Sequence, residues 1–299
     1  MKYSVIDIGS NSMRLTVYSL SKDSFTILFK EKIMAGLAGY TRDGVLLPEG
    51  IQRACSGLSS FRHTLQQLEI TGISAFATAS LRNIQNTDQA ADALSQSLGQ
   101  PIEILSGEDE ARYGYLGAME DLSLDSGLFV DIGGASTELV QFSQGNLRSA
   151  VSLPVGSLKL YRDCVKRILP GDGSRRRIRA QLHREFDSMA GSFQPCRQIA
   201  GVGGTARAAL KLARSVFHLP EACRTVPAPQ LEELYQLLRP ADKRAIDLIL
   251  RVAPERIHTL MPGLMILRHI VRAYQAEEII VSSYGVREGF LCQRIQSKL

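Results

Sequence analysis

The chain has 299 residues, 44% of them hydrophobic, which is enough to bury the core of one large domain or two ordinary domains. Its formal net charge of +5 favours acidic ligands, while 6% aromatic residues and no tryptophan argue against a nucleic-acid-binding protein. Five cysteines without C-x-x-C spacing indicate reduced thiols, and the absence of a signal peptide or membrane-spanning segment predicts a cytoplasmic protein without membrane contact.

The first half of the sequence predicts a mixed sheet flanked by helices. Short apolar runs predict strands at residues 3–8, 13–20 and 25–33, joined by turns. Apolar residues three and four apart predict a helix over 48–68, with a proline suited to its first turn. A strand over 73–78, a helix over 87–98 closed by Gly99, and a helix over 107–121 complete this half.

The second half repeats this order. Strands are predicted over 128–132, 137–142 and 147–153, followed by one long helical region over 158–193. A strand then enters the glycine turn at Gly203 and Gly204, and the amino end of the helix over 206–217 is suited to face an anion. Helices around 231–238 and over 263–274, a strand over 278–282 and a final helix over 286–298 end the chain. The arginine cluster at 175–179 indicates either a solvated helix start or a surface for a long polyanion.

Two loops with the same pattern follow apolar runs, at residues 7–12 and 131–136. Aligning Asp7 with Asp131 also pairs Gly9 with Gly133, about one domain length apart. The repeat predicts an amino-terminal domain over 1–123, on which a helix over about 288–299 packs, and a second domain over 124–287. A plain hairpin turn explains either loop taken alone, but not the matched pair.

The composition of these loops points to phosphate. Glycines allow several backbone N–H groups to approach a polyanion, and serine hydroxyls add donors. The aspartates would repel phosphate directly, so we expect them to hold a hydrated Mg²⁺, or Mn²⁺, that bridges to phosphate oxygens.

The order of the motifs resembles that of the exopolyphosphatase and guanosine pentaphosphate phosphohydrolase (Ppx/GppA) family. The matching segments are residues 7–12, 78–82, 105–111, 131–138, 203–205 and 283–289. The resemblance runs along the whole chain and corresponds to the short, two-domain form. It implies an α/β fold of two actin-like (ribonuclease H-like) domains, with mixed sheets flanked by helices and a cleft between the domains.

The resemblance also implies roles for individual residues. Glu110 matches the catalytic glutamate that orients or deprotonates the attacking water, Arg82 an arginine that grips phosphate oxygens, and Glu138 an acidic residue of the active site. Asp7 and Asp131 are the expected metal ligands. The expected phosphate-binding residues are Ser10, Asn11, Ser12, Gly133, Gly134, Ser136, Gly203 and Gly204.

Each assignment has an alternative. Glu110 also fits the acidic first turn of a helix, Arg82 a surface arginine that caps a loop, and Glu138 an exposed strand residue. Gly285, Arg287 and Glu288 fit a turn into the last helix better than a catalytic role. The family pattern is also broken by Ala135 in place of a glycine, Asp109 in place of a glutamate and His258 in place of an aspartate.

The sequence therefore predicts a metal-dependent phosphohydrolase that removes the terminal phosphate of inorganic polyphosphate. Guanosine pentaphosphate is the alternative substrate, since a nucleotide pocket would be built from scattered contacts that no short motif reveals. An ATPase or kinase-type switch, or a nucleotide sensor without turnover, is a more distant alternative on the same fold. Related proteins often pair, so a homodimer is also possible.

Overall fold

The computed structural model describes residues 1–22, 24–189 and 191–295. The chain forms two compact units: Met1–Tyr113 together with the segment that begins at Gly289, and Gly114–Glu288. The prediction of a mixed α/β fold with sheets flanked by helices is confirmed. The division at 123/124, the cleft, the homodimer and the cytoplasmic location stay predictions.

The first unit is built on a five-stranded sheet. Its strands are β1 (Lys2–Ile8), β2 (Met13–Leu20), β3 (Phe25–Ile33), β6 (Ile73–Ala77) and β7 (Ile102–Ile104), in the order β3-β2-β1-β6-β7. The first three strands are antiparallel neighbours, whereas β6 and β7 run parallel to β1. A small hairpin of β4 (Thr41–Arg42) and β5 (Val45–Leu46) lies outside this sheet.

Helices complete the first unit. The chain forms α1 (Pro48–Gln67), the single turn α2 (Ala79–Arg82), α3 (Thr87–Leu98) and the start of α4 (Gly107–Met119). Buried residues of α1 recur three and four positions apart, so one face of the helix packs into the core with Leu58, Phe61 and Leu65. Gly99 adopts a left-handed conformation and ends α3, as predicted.

The second unit repeats the arrangement with one more strand. It contains β8 (Ser126–Ile132), β9 (Thr137–Ser143), β10 (Asn146–Leu153), β11 (Gln198–Val202), β12 (Thr225–Pro227) and β13 (Glu278–Val281). The order is β10-β9-β8-β11-β13-β12, again an antiparallel meander followed by parallel strands β11 and β13. Parallel strands place their carboxyl ends at one edge, where ligands of open α/β sheets bind.

The helices of the second unit are α5 (Ser157–Cys164), α6 (Asp172–Asp187), α7 (Gly203–Phe217), α8 (Ala228–Leu238), α9 (Lys243–Val252) and α10 (Leu260–Ala273). The last helix, α11 (Val286–Arg294), leads back to the first unit. There Phe290 contacts Phe76 and Tyr113, with ring centroids 5.1 and 5.6 Å apart. Residues 296–298 of the predicted last helix lie outside the described residues.

The prediction of one helical region over 158–193 was wrong. Val165 is extended, and Pro170 disfavours helix at the residue before it, so the chain breaks between α5 and α6. Arg175 is buried in α6 and donates hydrogen bonds to the carbonyl oxygens of Pro170 and Arg239. The arginines at 175–179 therefore do not form a continuous surface for a polyanion, because Arg175 is buried and binds backbone carbonyls of its own unit.

Two further observations concern membrane spans and cysteines. In the part of the chain that the structure describes, no helix is long and apolar enough to cross a bilayer. No disulfide joins the described cysteines.

Candidate active site

In the first unit, the turn between β1 and β2 has a fixed backbone. The N–H of Gly9 donates to the carbonyl of Ser12 at 3.1 Å, which closes the turn. The carbonyls of Ser10 and Asn11 accept hydrogen bonds from the following segment, from the N–H groups of Ala38 and Gly36. The sequence-predicted phosphate-binding residues of this turn are thus held in one conformation.

Asp7 lies at the end of β1, directly opposite Arg14 on β2. Residues paired in this way point to the same face of the sheet. The Arg14 guanidinium approaches the Asp7 carboxylate to 3.9 Å. The first turn therefore has a cation of its own beside its acidic residue.

Arg82 and Glu110 form an ion pair in the first unit. Arg82 ends α2, just beyond β6, and Glu110 lies in the first turn of α4, just beyond β7. The Arg82 Nη1 atom donates to Glu110 Oε2 at 2.8 Å and to the carbonyl of Leu105 at 3.0 Å. The two side chains are 17% and 14% exposed. The Glu110 carboxylate is therefore held in a mostly buried ion pair and is not part of a solvated helix turn. The Arg82 guanidinium is likewise mostly buried, where it also binds the loop carbonyl of Leu105.

The neighbouring Asp109 supports the cap of α4. Its N–H donates to the Ser106 hydroxyl at 3.0 Å, and that hydroxyl donates to the Asp109 carboxylate at 2.7 Å. The Ser106 hydroxyl thus acts as an N-cap of α4 by accepting from the Asp109 N–H, and the Asp109 carboxylate holds that hydroxyl in place. Asp109 fixes the start of α4, and Glu110 is left to face Arg82.

In the second unit, the turn between β8 and β9 copies the first. The N–H of Gly133 donates to the carbonyl of Ser136 at 2.9 Å. The start of α5 covers this turn, because Ser157 donates to Gly133 and Leu158 to Gly134. Ser136 is buried.

Asp131 and Glu138 are direct cross-strand partners at the base of this second turn. Glu138 is buried, and its carboxylate accepts a hydrogen bond from the Ser152 hydroxyl at 2.7 Å. The alternative of an exposed strand residue is therefore wrong for Glu138. Two carboxylates that share one sheet face provide oxygen donors for a divalent cation.

The Gly203–Gly204 turn lies beside Asp131. β11 runs parallel to β8, with Val202 paired to Asp131, and Gly203 has a positive φ of 82°. The Asp131 carboxylate lies where a Cβ of residue 203 would be, and the Arg256 guanidinium lies where a Cβ of residue 204 would be. Both glycines are needed for this close approach, which brings a carboxylate and a guanidinium to the amino end of α7.

The segment over 283–289 is held by a carboxylate network. Asp121 accepts hydrogen bonds from the Ser282 hydroxyl at 2.9 Å, from the Ser283 N–H at 2.7 Å and from the Arg224 guanidinium. Burial alone would raise the pKa of Asp121, but the hydrogen bonds from Arg224 and from the two serines hold this pKa below its ordinary value. At the next turn, Glu288 is buried and accepts from the Gly285 N–H. This agrees with a structural role at the start of α11.

A family model describes most of the chain. The model of the Ppx/GppA phosphatase family matches residues 16–298. The chain belongs to this family.

Curated relatives of this Ppx/GppA protein have two different names. A "Guanosine-5'-triphosphate,3'-diphosphate pyrophosphatase" of Vibrio parahaemolyticus is 39% identical over 157 residues, and one of Pseudoalteromonas atlantica is 29% identical over 300. These matches cover 52% and 97% of the chain, but only 31% and 58% of the relatives. "Exopolyphosphatase 1" of Mycobacterium bovis is 25% identical over 314 residues, covering 100% of the chain and 89% of the relative.

Solved structures share the fold. A Ppx/GppA family member of Aquifex aeolicus has a TM-score of 0.81 at 23% identity and covers 100% of this chain and 98% of its own. An exopolyphosphatase of Cytophaga hutchinsonii has a TM-score of 0.89 at 19% identity, with 100% and 99% coverage. At these identities the similarity establishes the fold alone.

The predicted site residues are divided between the two units. The first-unit group consists of Asp7, Ser10, Asn11, Ser12, Arg82 and Glu110. The second-unit group consists of Asp131, Gly133, Gly134, Ser136, Glu138, Gly203 and Gly204. Their roles stay predictions.

Two residues at these sites were not anticipated. Arg14 occupies the repeat position that Glu138 has in the second unit, so extending the loop alignment by a few residues would have found it. Arg256 gave no such signal, because nothing in the sequence near Gly204 indicates what packs against it. The neighbouring His258 packs on Tyr161 of α5, with ring centroids 4.8 Å apart, so this departure from the family pattern supports α5.

Proposed function

We propose that this protein hydrolyses the terminal phosphoanhydride bond of inorganic polyphosphate, with a divalent cation. The proposal rests on the family match and, above all, on the Arg82–Glu110 pair at the carboxyl end of the first sheet. A phosphoryl transition state requires mainly positioning and charge neutralisation, together with a group that directs the attacking water. A carboxylate held by a guanidinium fits both needs.

Glu110 is the proposed base. It would accept a hydrogen bond or a proton from the attacking water, while its helix start is fixed by the Ser106–Asp109 cap. Arg82 orients the carboxylate at 2.8 Å, and its planar guanidinium is a group suited to phosphate oxygens. In this proposal the leaving group is the polyphosphate shortened by one phosphate.

The second-unit group is proposed to bind phosphate through its backbone. The turn at Gly133 and Gly134 and the amino end of α7 at Gly203 and Gly204 provide N–H groups from residues that have no side chain of their own. The Arg256 guanidinium against Gly204 adds a cation suited to two phosphate oxygens. The hydroxyls of the first-unit turn have the same proposed role.

Asp131 and Glu138 are the residues that would hold Mg²⁺. No group of three or more His, Cys, Asp or Glu in the described chain is arranged to hold a metal ion. Magnesium usually keeps several waters and needs only one or two carboxylates, so the paired carboxylates fit this ion. When bound, the ion would neutralise charge on the phosphate oxygens. Asp7, beside Arg14, is the weaker candidate ligand.

Polyphosphate is the first choice of substrate because the mycobacterial exopolyphosphatase matches over 100% of this chain and 89% of its own length. Guanosine pentaphosphate is the second candidate, since the higher identity of 39% is to a relative named for a guanosine substrate. The bond cleaved is a phosphoanhydride in both cases, so the chemistry of the site does not separate them.

A substrate comparison tests this choice. Phosphate release is measured from polyphosphates of several lengths and from guanosine pentaphosphate, each with and without Mg²⁺. We expect metal-dependent release from both, with the higher kcat/KM for polyphosphate. A higher value for guanosine pentaphosphate would reverse the assignment, and conversion of ATP to ADP only with an acceptor, which takes up the γ-phosphate, would favour a kinase.

The role of Glu110 is tested separately. Glu110→Gln keeps the size of the side chain and a hydrogen-bond acceptor but removes the base. We expect at least about a 100-fold loss of kcat with little change in polyphosphate binding. Near-normal hydrolysis by this variant would refute the role.

A further inference from the structure

A concave region lies in the second unit between α6 and α10. Its volume is about 530 Å³, within the range of roughly 300–1,000 Å³ of small-ligand sites. It includes none of the residues proposed above to bind phosphate or metal or to activate water. The proposed hydrolysis therefore gives this cavity no role.

The floor of the cavity is aromatic. Phe193 lies against Tyr274 with ring centroids 5.9 Å apart, and Phe186 against His269 at 4.6 Å. His183 meets His269 edge-on at 5.2 Å. Burial, and then the neighbouring His183, lowers the pKa of His269, which disfavours the charged form of this imidazole. Such a floor can pack against a flat ligand ring.

The rim of the cavity is cationic. Arg179 stands one helical turn before His183 on α6, and Arg268 and Arg272 stand one turn apart on α10. Asp187 is the acidic residue of the lining. Three guanidinium groups lie near two carboxylates, those of Asp187 and of Glu232, so one positive charge is left over, which favours an anionic ligand.

Glu232 of α8 orients two of these arginines. It accepts from Arg268 at 2.5 and 3.0 Å and from Arg272 at 3.0 Å. Arg268 also lies over the ring of Tyr235, 4.3 Å from its centroid, so it is held from two sides. The Arg272 side chain remains 60% exposed, and a guanidinium has five N–H donors, so Arg272 can also grip an anion.

We propose that this cavity binds a mononucleotide, with the base on the aromatic floor and the phosphate at Arg179 and Arg272. A free phosphate would leave the aromatic floor unused, and an uncharged nucleoside would leave the arginine rim unused. A nucleotide joins both features in one molecule, and a mononucleotide is of a size that fits the volume. The inference does not depend on the proposed hydrolysis, because it concerns binding without turnover.

The test uses the full chain and AMP as the probe, with adenosine and inorganic phosphate as its two halves. Binding is measured by isothermal titration calorimetry at constant ionic strength. We expect AMP to bind more tightly than either half. The double variant Arg179→Gln with Arg272→Gln should lose at least about tenfold in affinity, because each charge-assisted contact contributes on the order of a factor of ten.

Arg176→Gln is the matched control, since Arg176 is an exposed arginine of the same helix that does not line the cavity. It should leave AMP affinity unchanged. Phe193→Leu removes a floor ring but keeps apolar volume, and should weaken AMP more than phosphate. The proposal is overturned if the double variant binds AMP like the parent protein, if Arg176→Gln weakens AMP equally, or if phosphate alone binds as tightly as AMP. None of these results bears on polyphosphate hydrolysis.

Discussion

The turn after β1 and the turn after β8 have the same backbone geometry. Each is closed by a hydrogen bond from its first glycine, Gly9 or Gly133, to the carbonyl of the serine three residues on. A Cβ added to either glycine would lie 3.1 Å from that carbonyl oxygen. The duplication seen in the sequence is thus reproduced in atomic detail, and it includes the crowding that favours glycine.

The two turns differ in charge at the position across the strand pair. Opposite Asp7 stands Arg14, whereas opposite Asp131 stands Glu138. The first turn has a cation built into the protein, and the second has two carboxylates on one face. From this difference we propose that the two turns divide their tasks: the second turn would be the better metal site, and the first would bind phosphate without a metal.

The largest expected effect concerns the two aspartates. Asp131→Asn should lower kcat/KM for polyphosphate at least about 1,000-fold, because it removes a carboxylate ligand from the site where phosphate charge develops. It should also raise the Mg²⁺ concentration needed for half-maximal rate. Asp7→Asn should shift this Mg²⁺ titration much less, since Arg14 already faces Asp7.

Phosphate release as a function of Mg²⁺ concentration checks both variants. Circular dichroism should show that each variant is folded. Equal shifts of the Mg²⁺ titration for Asp7→Asn and Asp131→Asn would mean that the two turns share the metal, and the division of tasks would be wrong.

A smaller effect is expected at the cross-strand partners. Glu138→Gln keeps an oxygen that can accept the Ser152 hydrogen bond but removes the charge. It should raise the Mg²⁺ concentration needed for half-maximal rate by roughly 10–100-fold, as is typical when a residue that supports or binds a metal is changed. Arg14→Gln is the counterpart in the first turn and should change the Mg²⁺ requirement less than about threefold, because it removes no oxygen ligand. An effect of Arg14→Gln as large as that of Glu138→Gln would contradict the comparison.

Much of the fold was predictable because the chain repeats a simple pattern. The three strands that open each unit are short apolar runs joined by turns, and their predicted bounds agree with the structure within a residue or two. Helix α3 ended at Gly99 as expected, since glycine adopts the left-handed conformation required there. The strands β7 and β12, three residues each, are too short to show a period.

Errors arose where local signals compete. Residues 158–193 contain enough apolar residues for one helix, but Pro170 and the extended Val165 interrupt it. Helix α9 was missed although Asp242 caps it by accepting a hydrogen bond from the Ala245 N–H. For the site, short motifs predicted the candidates, but the contact of Arg256 with Gly204 depends on packing between distant segments, which no spacing encodes.

The crowding at the two turns gives a matched pair of stability effects. Gly9→Ala and Gly133→Ala should each lower the free energy of unfolding by about 1 kcal/mol, because a backbone oxygen must move away from the new methyl group. The two losses should be similar, since an added Cβ would lie 3.1 Å from a backbone oxygen in both turns. Urea unfolding followed by circular dichroism measures them.

Gly39→Ala and Gly171→Ala are the controls, one in each unit. Neither has an atom within 4 Å of an added Cβ, and neither is among the glycines with positive φ. Gly39→Ala should be within about 0.5 kcal/mol of the parent protein, and Gly171→Ala within about 1 kcal/mol, because Gly171 is the N-cap of α6, where alanine is less favourable than glycine. If Gly9→Ala behaves like Gly39→Ala while Gly133→Ala does not, the two turns are not equivalent in solution.

The smallest expected effect concerns the contribution of Glu232, in the second unit, to thermal stability at acidic pH. Hydrogen bonding from Arg268, against the opposing effect of burial, lowers the pKa of Glu232 from 4.5 to about 2. A carboxyl group with a lowered folded-state pKa stabilises the fold above its unfolded-state pKa, and this stabilisation is lost as the pH falls towards the folded-state value. Glu232→Gln should therefore lower the Tm near neutral pH by a few degrees at most, because the site is partly exposed. The gap to the parent protein should close as the pH falls from about 4.5 towards 2.

Glu233→Gln, at the exposed neighbouring position of α8, should show no such convergence. A gap between Glu232→Gln and the parent protein that stays constant down to the lowest pH at which both fold would mean that the charge of Glu232 does not stabilise the unit.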